Sequence, residues 1–140
     1  MKVAFGCDHG GFVLRDTIVA LLAELGHELN DCGTKDGSAV DYPDIAAAVC
    51  RLVVEGGCRM GILVCGTGIG ISMAANRNPA IRAALCTDGF SARMSREHND
   101  ANILCLGGRV TGPGVAEDIV RTWLAAEFAG GRHLRRISLF

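Results

Sequence analysis

The stretch LVCGTGIGIS, residues 63–72, joins an apolar run to three alternating glycines, and Cys65 stands at the junction. Glycines after a buried strand let backbone N–H groups approach a small anion, and a following helix N-terminus adds to the attraction. A cysteine beside a helix N-terminus gains thiolate character. A thiolate next to oxyanion donors suits removal of a proton from carbon beside a carbonyl, with the enediolate oxygen held by the amides. The alternatives are a tight turn without a ligand and a buried strand-end cysteine. Cys7 is the nearest rival base, since it also ends a strand.

The glycines match neither of the common nucleotide-binding fingerprints. A P-loop requires the lysine of G-x-x-x-x-G-K-[ST], and the lysines of this chain are Lys2 and Lys35. The fingerprint G-x-G-x-x-G requires a third glycine where Ile71 or Met73 stands, and Asp88 is only a loose candidate for its acidic residue. The pattern therefore favours a site that binds a small oxyanion. The alternative from another functional class is a module that binds a phosphometabolite without catalysis.

Basic and polar side chains elsewhere could serve the same chemistry. Arg132 and Arg136 are four residues apart, so a helical turn places both guanidiniums on one face, where they suit a phosphate monoester. A solvated basic end is the alternative. His98 lies in SREHNDAN, residues 95–102, and a histidine there either relays protons or caps a helix. His9 follows the first strand and either joins the arginines or is structural.

Short apolar runs that alternate with longer helical patterns must position these residues. The predicted strands are KVAFGC, HELNDC, RMGILVC, IRAALC and NILCLG, residues 2–7, 27–32, 59–65, 81–86 and 102–107. The predicted helices cover residues 12–26, 43–56, 70–77, 88–100 and 114–129, and a tail, GGRHLRRISLF, closes the chain.

Strands that alternate with helices predict a parallel sheet covered on both faces. We expect an α/β fold, a three-layer α/β/α sandwich with a five-stranded, parallel, Rossmann-like sheet in the order 2-1-3-4-5. In such sheets ligands bind beyond the carboxyl ends of the strands where the strand order reverses, here between the first and third strands. CDHGG (7–11) and CGTGIG (65–70) follow these two strands and should therefore meet in one crevice.

Composition bounds the class of protein. The 140 residues suit one domain, predicted to span 1–140, that needs no disulfide or metal. A formal charge of −1 gives no general attraction to nucleic acid or membrane, and no run approaches the ~20 apolar residues of a membrane span. Seven cysteines without C-x-x-C spacing, and four histidines without ligand spacing, predict a reduced, cytoplasmic protein with no metal site. With only 21% charged residues, some surface is expected to be buried against another subunit.

Together these residues resemble the type B ribose-5-phosphate isomerases, within the wider group that includes galactose-6-phosphate isomerase subunits. The matching stretches run from end to end of the chain: GCDHGG (6–11), DYPD (41–44), VCGTGIGISMAANR (64–77), IRAAL (81–85), ARMSREHNDANILCLGGR (92–109) and GGRHLRRI (130–137). The resemblance implies interconversion of an aldose phosphate and a ketose phosphate, typically ribose 5-phosphate and ribulose 5-phosphate, without a metal or organic cofactor. A six-carbon substrate (allose or galactose 6-phosphate) or a four-carbon one stays open, because the motifs report shared chemistry rather than pocket length.

The resemblance also implies roles for single residues. Cys65 would be the base that moves the proton between C2 and C1, His98 the acid that protonates the ring oxygen, and Thr67 an aid to ring opening. The anion hole would be formed by Gly66, Thr67, Gly68, Ile69 and Gly70. Further substrate contacts would come from Asp8, His9, Tyr42, Asn99 and Arg109, with Tyr42 lining the sugar pocket. The phosphate would be held by Arg132, Arg136 and His9.

One departure within that family bears on the base. Some members lack the cysteine and place a glutamate in the glycine loop, where Ile71 stands here and cannot accept a proton. Cys65 therefore has no rival in the loop. In the galactose-6-phosphate enzymes two different chains share the working residues, whereas this chain carries the full set. The resemblance thus implies a homodimer or a dimer of dimers with sites at the subunit boundary.

Overall fold

Five parallel strands form the centre of the structure, a computed structural model that describes residues 1–140. The strands are β1 (Lys2–Cys7), β2 (Glu28–Asp31), β3 (Met60–Cys65), β4 (Ala83–Leu85) and β5 (Ile103–Gly107). They lie in the order β2-β1-β3-β5-β4, and every neighbouring pair is parallel.

Helices cover both faces of this sheet. They are α1 (Arg15–Glu24), α2 (Tyr42–Val54), α3 (Ile69–Ala75), α4 (Gly89–Glu97), α5 (Pro113–Ala125) and α6 (Arg132–Ile137), with a 3-10 turn at Phe12–Leu14. One apolar core lies between the sheet and α1, α4 and α5, and contains Leu22 and Trp123. A second core lies between the sheet and α2 and α3, and contains Val49 and Ile71. The expected α/β/α sandwich is confirmed.

None of the helices is both long enough and apolar enough to cross a membrane.

The expected strand order 2-1-3-4-5 is wrong at its end, because β5 rather than β4 pairs with β3. All five residues of β5 are buried, whereas β4 has three residues and its Leu85 is exposed. A strand that is apolar on both faces gains most from a central position, since both sets of side chains leave water there. The reversal between β1 and β3, on which the predicted crevice depends, is unchanged.

The predicted helices are confirmed, with ends that differ by a few residues. Helix α4 ends at Glu97 rather than at residue 100, because the chain turns at His98 toward β5. Helix α5 ends at Ala125, and Ala126 is already extended. The tail forms α6, which places Arg132 and Arg136 on one helix as predicted.

The starts and the ends of the parallel strands define two opposite edges of the sheet. We call the edge where the parallel strands end the carboxyl edge, and the edge where they begin the amino edge. Cys65 pairs with Gly107 at the carboxyl edge, and Gly61 pairs with Ile103 near the amino edge.

Candidate active site

Cys65 ends β3 at the carboxyl edge and is only 5% exposed. Its Sγ accepts a hydrogen bond from the backbone N–H of Gly68 at 3.1 Å. Gly68 has φ 78, a left-handed conformation that glycine adopts without a Cβ clash, and it turns the chain so that its amide points back at the sulfur. Helix α3 has only seven residues, so hydrogen bonds to a developing negative charge would come from loop amides rather than from a long helix dipole. Within the loop, the Ile69 N–H donates to Thr67 Oγ1 at 3.3 Å.

The glycine loop is held by the segments that follow β1 and β5. Gly108 donates its N–H to the Cys65 carbonyl at 2.8 Å, and Arg109 donates its N–H to the Gly66 carbonyl at 2.9 Å. A Cβ on Gly10 would come within 2.8 Å of the Gly66 nitrogen, and one on Gly107 within 2.7 Å of the Thr67 backbone. Glycine is therefore required at both positions for the three segments to meet.

Other predicted site residues line the same crevice. Asp8 is buried, and its Oδ1 accepts the Gly11 N–H at 2.9 Å. The Tyr42 ring lies over Gly70, where an added Cβ would be 2.8 Å from its Cζ. The Arg109 guanidinium lies beside Gly66 at van der Waals distance, and His9 and Thr67 are exposed beside the loop. The carboxyl edge therefore brings together the following predicted site residues: Asp8, His9, Tyr42, Cys65, Gly66, Thr67, Gly68, Ile69, Gly70 and Arg109.

All seven cysteines are free thiols. Burial raises the thiol pKa of Cys7, Cys32, Cys50, Cys58, Cys86 and Cys105. Burial, aided by Asp31, raises the pKa of Cys7 to about 12. Cys7 is also completely buried, in the core that contains α1. The rival base is therefore protonated at neutral pH and has no access to the crevice. Ile71 is likewise fully buried, so its side chain does not reach the loop surface.

A second group of predicted residues lies at the amino edge. His98 is the C-cap of α4, Asn99 follows it, and α6 carries Arg132 and Arg136. The chain before α6 is attached to α4, because Ala129 donates its N–H to the Glu97 carbonyl at 2.9 Å.

Sequence reasoning missed His133, which stacks on His98 with ring centroids 4.0 Å apart. Burial, followed by the charges of His98, Arg132 and Arg136, lowers the pKa of His133. In the sequence, His133 is noticeable only because it follows Arg132, and this position does not indicate which residue it stacks on.

A single chain does not bring the two groups together. Cys65 lies beside the last residue of β5, while His98 lies five residues before its first residue. The strand alone separates the two edges by about 13 Å, at roughly 3.3 Å per residue. We therefore distinguish a carboxyl-edge half-site around Cys65 from an amino-edge half-site of His98, Asn99, Arg132 and Arg136. His9 belongs to the first, so one chain does not place it with the two arginines.

No group of three or more His, Cys, Asp or Glu side chains is placed to hold a metal ion. The largest cavity, about 750 Å³, lies between α2 and α3 and contains none of the predicted site residues.

The chain is similar to proteins of known activity over nearly its whole length. A family model described as Ribose/Galactose Isomerase matches residues 3–140. Ribose-5-phosphate isomerase B of Escherichia coli strain K12 is 50% identical over 136 residues, covering 97% of this chain and 91% of that protein. The solved structure of ribose-5-phosphate isomerase B from Clostridium thermocellum is 55% identical with a TM-score of 0.97, covering 99% of this chain and 94% of that one. D-erythrulose-4-phosphate isomerase of Pectobacterium atrosepticum is 39% identical over 132 residues, covering 94% of this chain and 87% of that protein.

Proposed function

The chain belongs to the ribose/galactose isomerase family and is an aldose–ketose isomerase of sugar phosphates, and from this premise we propose that it interconverts D-ribose 5-phosphate and D-ribulose 5-phosphate with Cys65 as the base. Family membership sets aside the alternative of a non-catalytic binding module. The observation that carries the proposal is the Gly68 N–H of the glycine loop, which points at the Cys65 sulfur. The pentose assignment is supported by relatives named ribose-5-phosphate isomerase B at 50% and 55% identity.

The proposed chemistry is a proton transfer through an enediolate. The Cys65 thiolate removes the proton from C2 of the open-chain aldose, and the electron pair forms a C1–C2 double bond with negative charge on O1. The backbone amides around Gly68 stabilise that oxygen, because fixed dipoles need no reorganisation as charge develops. The proton of the C2 hydroxyl then passes to O1, and as C2=O forms, the Cys65 thiol returns its proton to C1, which gives the ketose and regenerates the thiolate.

Opening of the furanose ring requires an acid, and in the proposal this is His98. A histidine near neutral pH can donate to the ring oxygen and take the proton back in the reverse direction. Thr67 is exposed in the loop and assists at the same ring. Because His98 and Cys65 lie at opposite edges of one chain, the acid must come from a second copy.

Helix α3 offers a simple way to join the two half-sites. Gly68 is its N-cap at the carboxyl edge, and Asn76 is its C-cap, whose side-chain amide donates to the Ala83 carbonyl at 2.9 Å near the amino edge. Its outer face exposes Ile69 and Met73, at 49% and 66%. A twofold axis across α3 would bury these side chains and bring the carboxyl edge of each protomer to the amino edge of its partner.

The partner's amino-edge half-site then completes the pocket. Arg132 and Arg136 of the partner subunit grip the phosphate, with His9 from the first protomer. This remote grip supplies binding energy that aligns C1 and C2 with Cys65. The proposed assembly is thus a homodimer, or a dimer of dimers, with two equivalent sites.

The assignment of the base is tested with two cysteine variants. We expect Cys65→Ala to lower kcat on ribose 5-phosphate by at least about a thousandfold, because the proton acceptor is lost. Cys7→Ala removes a thiol of the same type from the end of the neighbouring strand, and should keep kcat within a fewfold. Full activity of Cys65→Ala would overturn the role of the thiol.

A four-carbon substrate is the second candidate, because one relative is a D-erythrulose-4-phosphate isomerase. The values of kcat/KM on four-, five- and six-carbon sugar phosphates decide between them. The proposal requires the highest value on ribose 5-phosphate, and a higher value on a tetrose or hexose phosphate would replace the substrate while keeping the chemistry.

A further inference from the structure

The loop that carries His98 and Asn99 is followed by a residue in an unusual conformation. Asp100 has φ 46 and is the only residue other than glycine in the left-handed region. An L side chain there crowds its Cβ against the backbone, and glycine would be the unstrained choice. Aspartate tolerates this conformation better than most residues because its short side chain can form local hydrogen bonds, as the Asp100 carboxylate does.

The Asp100 carboxylate is shared between two arginines. Its Oδ1 accepts from Arg96 Nη1 at 3.0 Å, and its Oδ2 accepts from Arg82 Nη2 at 3.2 Å. The same arginines also bind the main chain, since Arg82 Nε donates to the Asp100 carbonyl at 3.1 Å and Arg96 Nη1 donates to the Ala101 carbonyl at 2.6 Å. Both the side chain and the adjoining backbone are therefore fixed.

The two arginines are themselves anchored in regular elements. Arg96 lies in α4, is 6% exposed, and places its guanidinium 5.8 Å from the ring centroid of Trp123 in α5. Arg82 precedes β4, and its N–H donates to Asn102 Oδ1 at 2.8 Å. The Asp100 contacts thus connect α4, α5 and β4 to the short loop that presents the amino-edge half-site.

We infer, resting on the proposed function, that Asp100 is a positioning residue for the ring-opening acid. By holding the backbone between α4 and β5 in one conformation, it presents His98 and Asn99 of one protomer to the Cys65 loop of its partner before substrate binds. Asp100 does not touch the substrate and acts through the two residues before it. Such preorganisation matters because a displacement of about 1 Å in a reacting group can cost roughly a hundredfold in rate.

The test uses Asp100→Gly alone and combined with His98→Asn. Glycine suits φ 46 and removes only the carboxylate contacts, so the backbone is not strained by the change. We expect Asp100→Gly to lower kcat by about ten- to a hundredfold in the wild-type background, with KM within about threefold. In the His98→Asn background, where the acid is already absent, the same change should alter kcat by less than about threefold, because residues that act through one another are not additive.

Asp88→Gly is the matched control, because it removes an aspartate from the opposite end of the same helix. Asp88 caps the first turn of α4 by accepting the Ser91 N–H at 2.7 Å. Loss of this cap should lower Tm and, if it affects kcat, do so equally in both backgrounds.

The inference is overturned if Asp100→Gly keeps full kcat, or if it lowers kcat equally with and without His98, as a purely structural defect would. A wrong substrate assignment has a different signature, since the wild-type protein would then be inactive on ribose 5-phosphate. In that case the same cycle is measured on the sugar phosphate that the wild-type protein converts.

Discussion

The imidazole ring of His133 lies flat against that of His98, with centroids 4.0 Å apart and planes inclined by 8°. Burial, the charge of His98 and the guanidiniums of Arg132 and Arg136 lower the pKa of His133, and only Glu97 acts in the opposite direction. His133 is therefore neutral at pH 7, which avoids repulsion between two charged rings in the stack. Helix α6, with its arginines, is joined to the end of α4 through this contact.

The stack predicts a pH dependence of the free energy of unfolding. The pKa of His133 is lower in the folded chain than its ordinary value of 6.5, so below pH 6.5 the unfolded chain binds more protons. Stability that is fully present above that pH is therefore lost as the pH falls toward the folded pKa. His133→Phe keeps a ring against His98 but cannot titrate. We expect the urea midpoint of the wild-type protein to fall more steeply than that of His133→Phe between about pH 7.5 and about pH 5.5.

His27 provides an internal control for this comparison. Burial also lowers its pKa, but it is present in both proteins and cancels from the difference. Parallel midpoint curves for the two proteins would show that His133 does not contribute to the pH dependence.

The elements of this fold were predictable because each is encoded locally. Alternating apolar runs and helical periodicity were enough for all five strands, and Pro43 and Pro113 stand in the first turns of α2 and α5, where their fixed φ suits a helix. The place of β5 beside β3 was not predictable in the same way, because it depends on a competition between two distant segments. The buried β5 outcompetes the short, partly exposed β4, and this comparison is visible only when both are packed on the same sheet.

Only part of the candidate site could be predicted from the sequence. Cys65 and the glycines are contiguous, so their local arrangement followed from one strand and one turn. The separation of His98 from Cys65 was also present in the sequence, because a residue before a parallel strand and a residue after one lie at opposite edges. The stacking of His133 on His98 could not be predicted from the sequence, because it depends on how α6 packs against the end of α4.

Gly68 should be far less tolerant of substitution than another left-handed glycine. Gly26 has φ 72 and open space where a Cβ would lie, so Gly26→Ala should cost only the backbone strain, about 1–2 kcal/mol. At Gly68, with φ 78, a Cβ would also come within 2.9 Å of the Leu106 carbonyl carbon and collide with the Leu85 side chain. We expect Gly68→Ala to lose more stability than Gly26→Ala in urea unfolding and to lower kcat as well, because the amide that faces Cys65 moves. Equal losses at the two positions would argue against the close packing of the loop.

The phosphate grip predicts a difference between two neighbouring arginines of α6. Arg135 and Arg136 are both exposed, and around the axis of α6 they lie on opposite sides of Arg132, at about 60° and about 40° from it. Arg136→Ala should raise KM for ribose 5-phosphate by about ten- to a hundredfold, in line with the loss of a charge-assisted hydrogen bond, and leave kcat within a fewfold. Arg135→Ala should change KM by less than about twofold. Steady-state kinetics on both variants checks this, and similar KM values for the two would mean that the arginines act through general charge.

The division of the working residues between the two edges predicts that inactive variants rescue each other. In a mixed dimer of Cys65→Ala and His98→Asn protomers, one site carries both substitutions and the other carries neither. Random mixing makes about half of all dimers mixed, so co-expression or refolding together should restore about a quarter of wild-type activity. Each variant alone should stay nearly inactive, and the activity of the mixture is measured at equal protomer concentration.

The control mixes Cys65→Ala with Thr67→Ala, two changes on the same edge of the sheet. Each site of that mixed dimer then has one altered loop, whichever protomer supplies the acid, so no intact site forms. Rescue in the first mixture but not in the second requires His98 and Cys65 to come from different chains. Failure of the first mixture, with mixed dimers shown to be present by mass spectrometry, would mean that each chain builds its own site, for which α4 and β5 would have to rearrange.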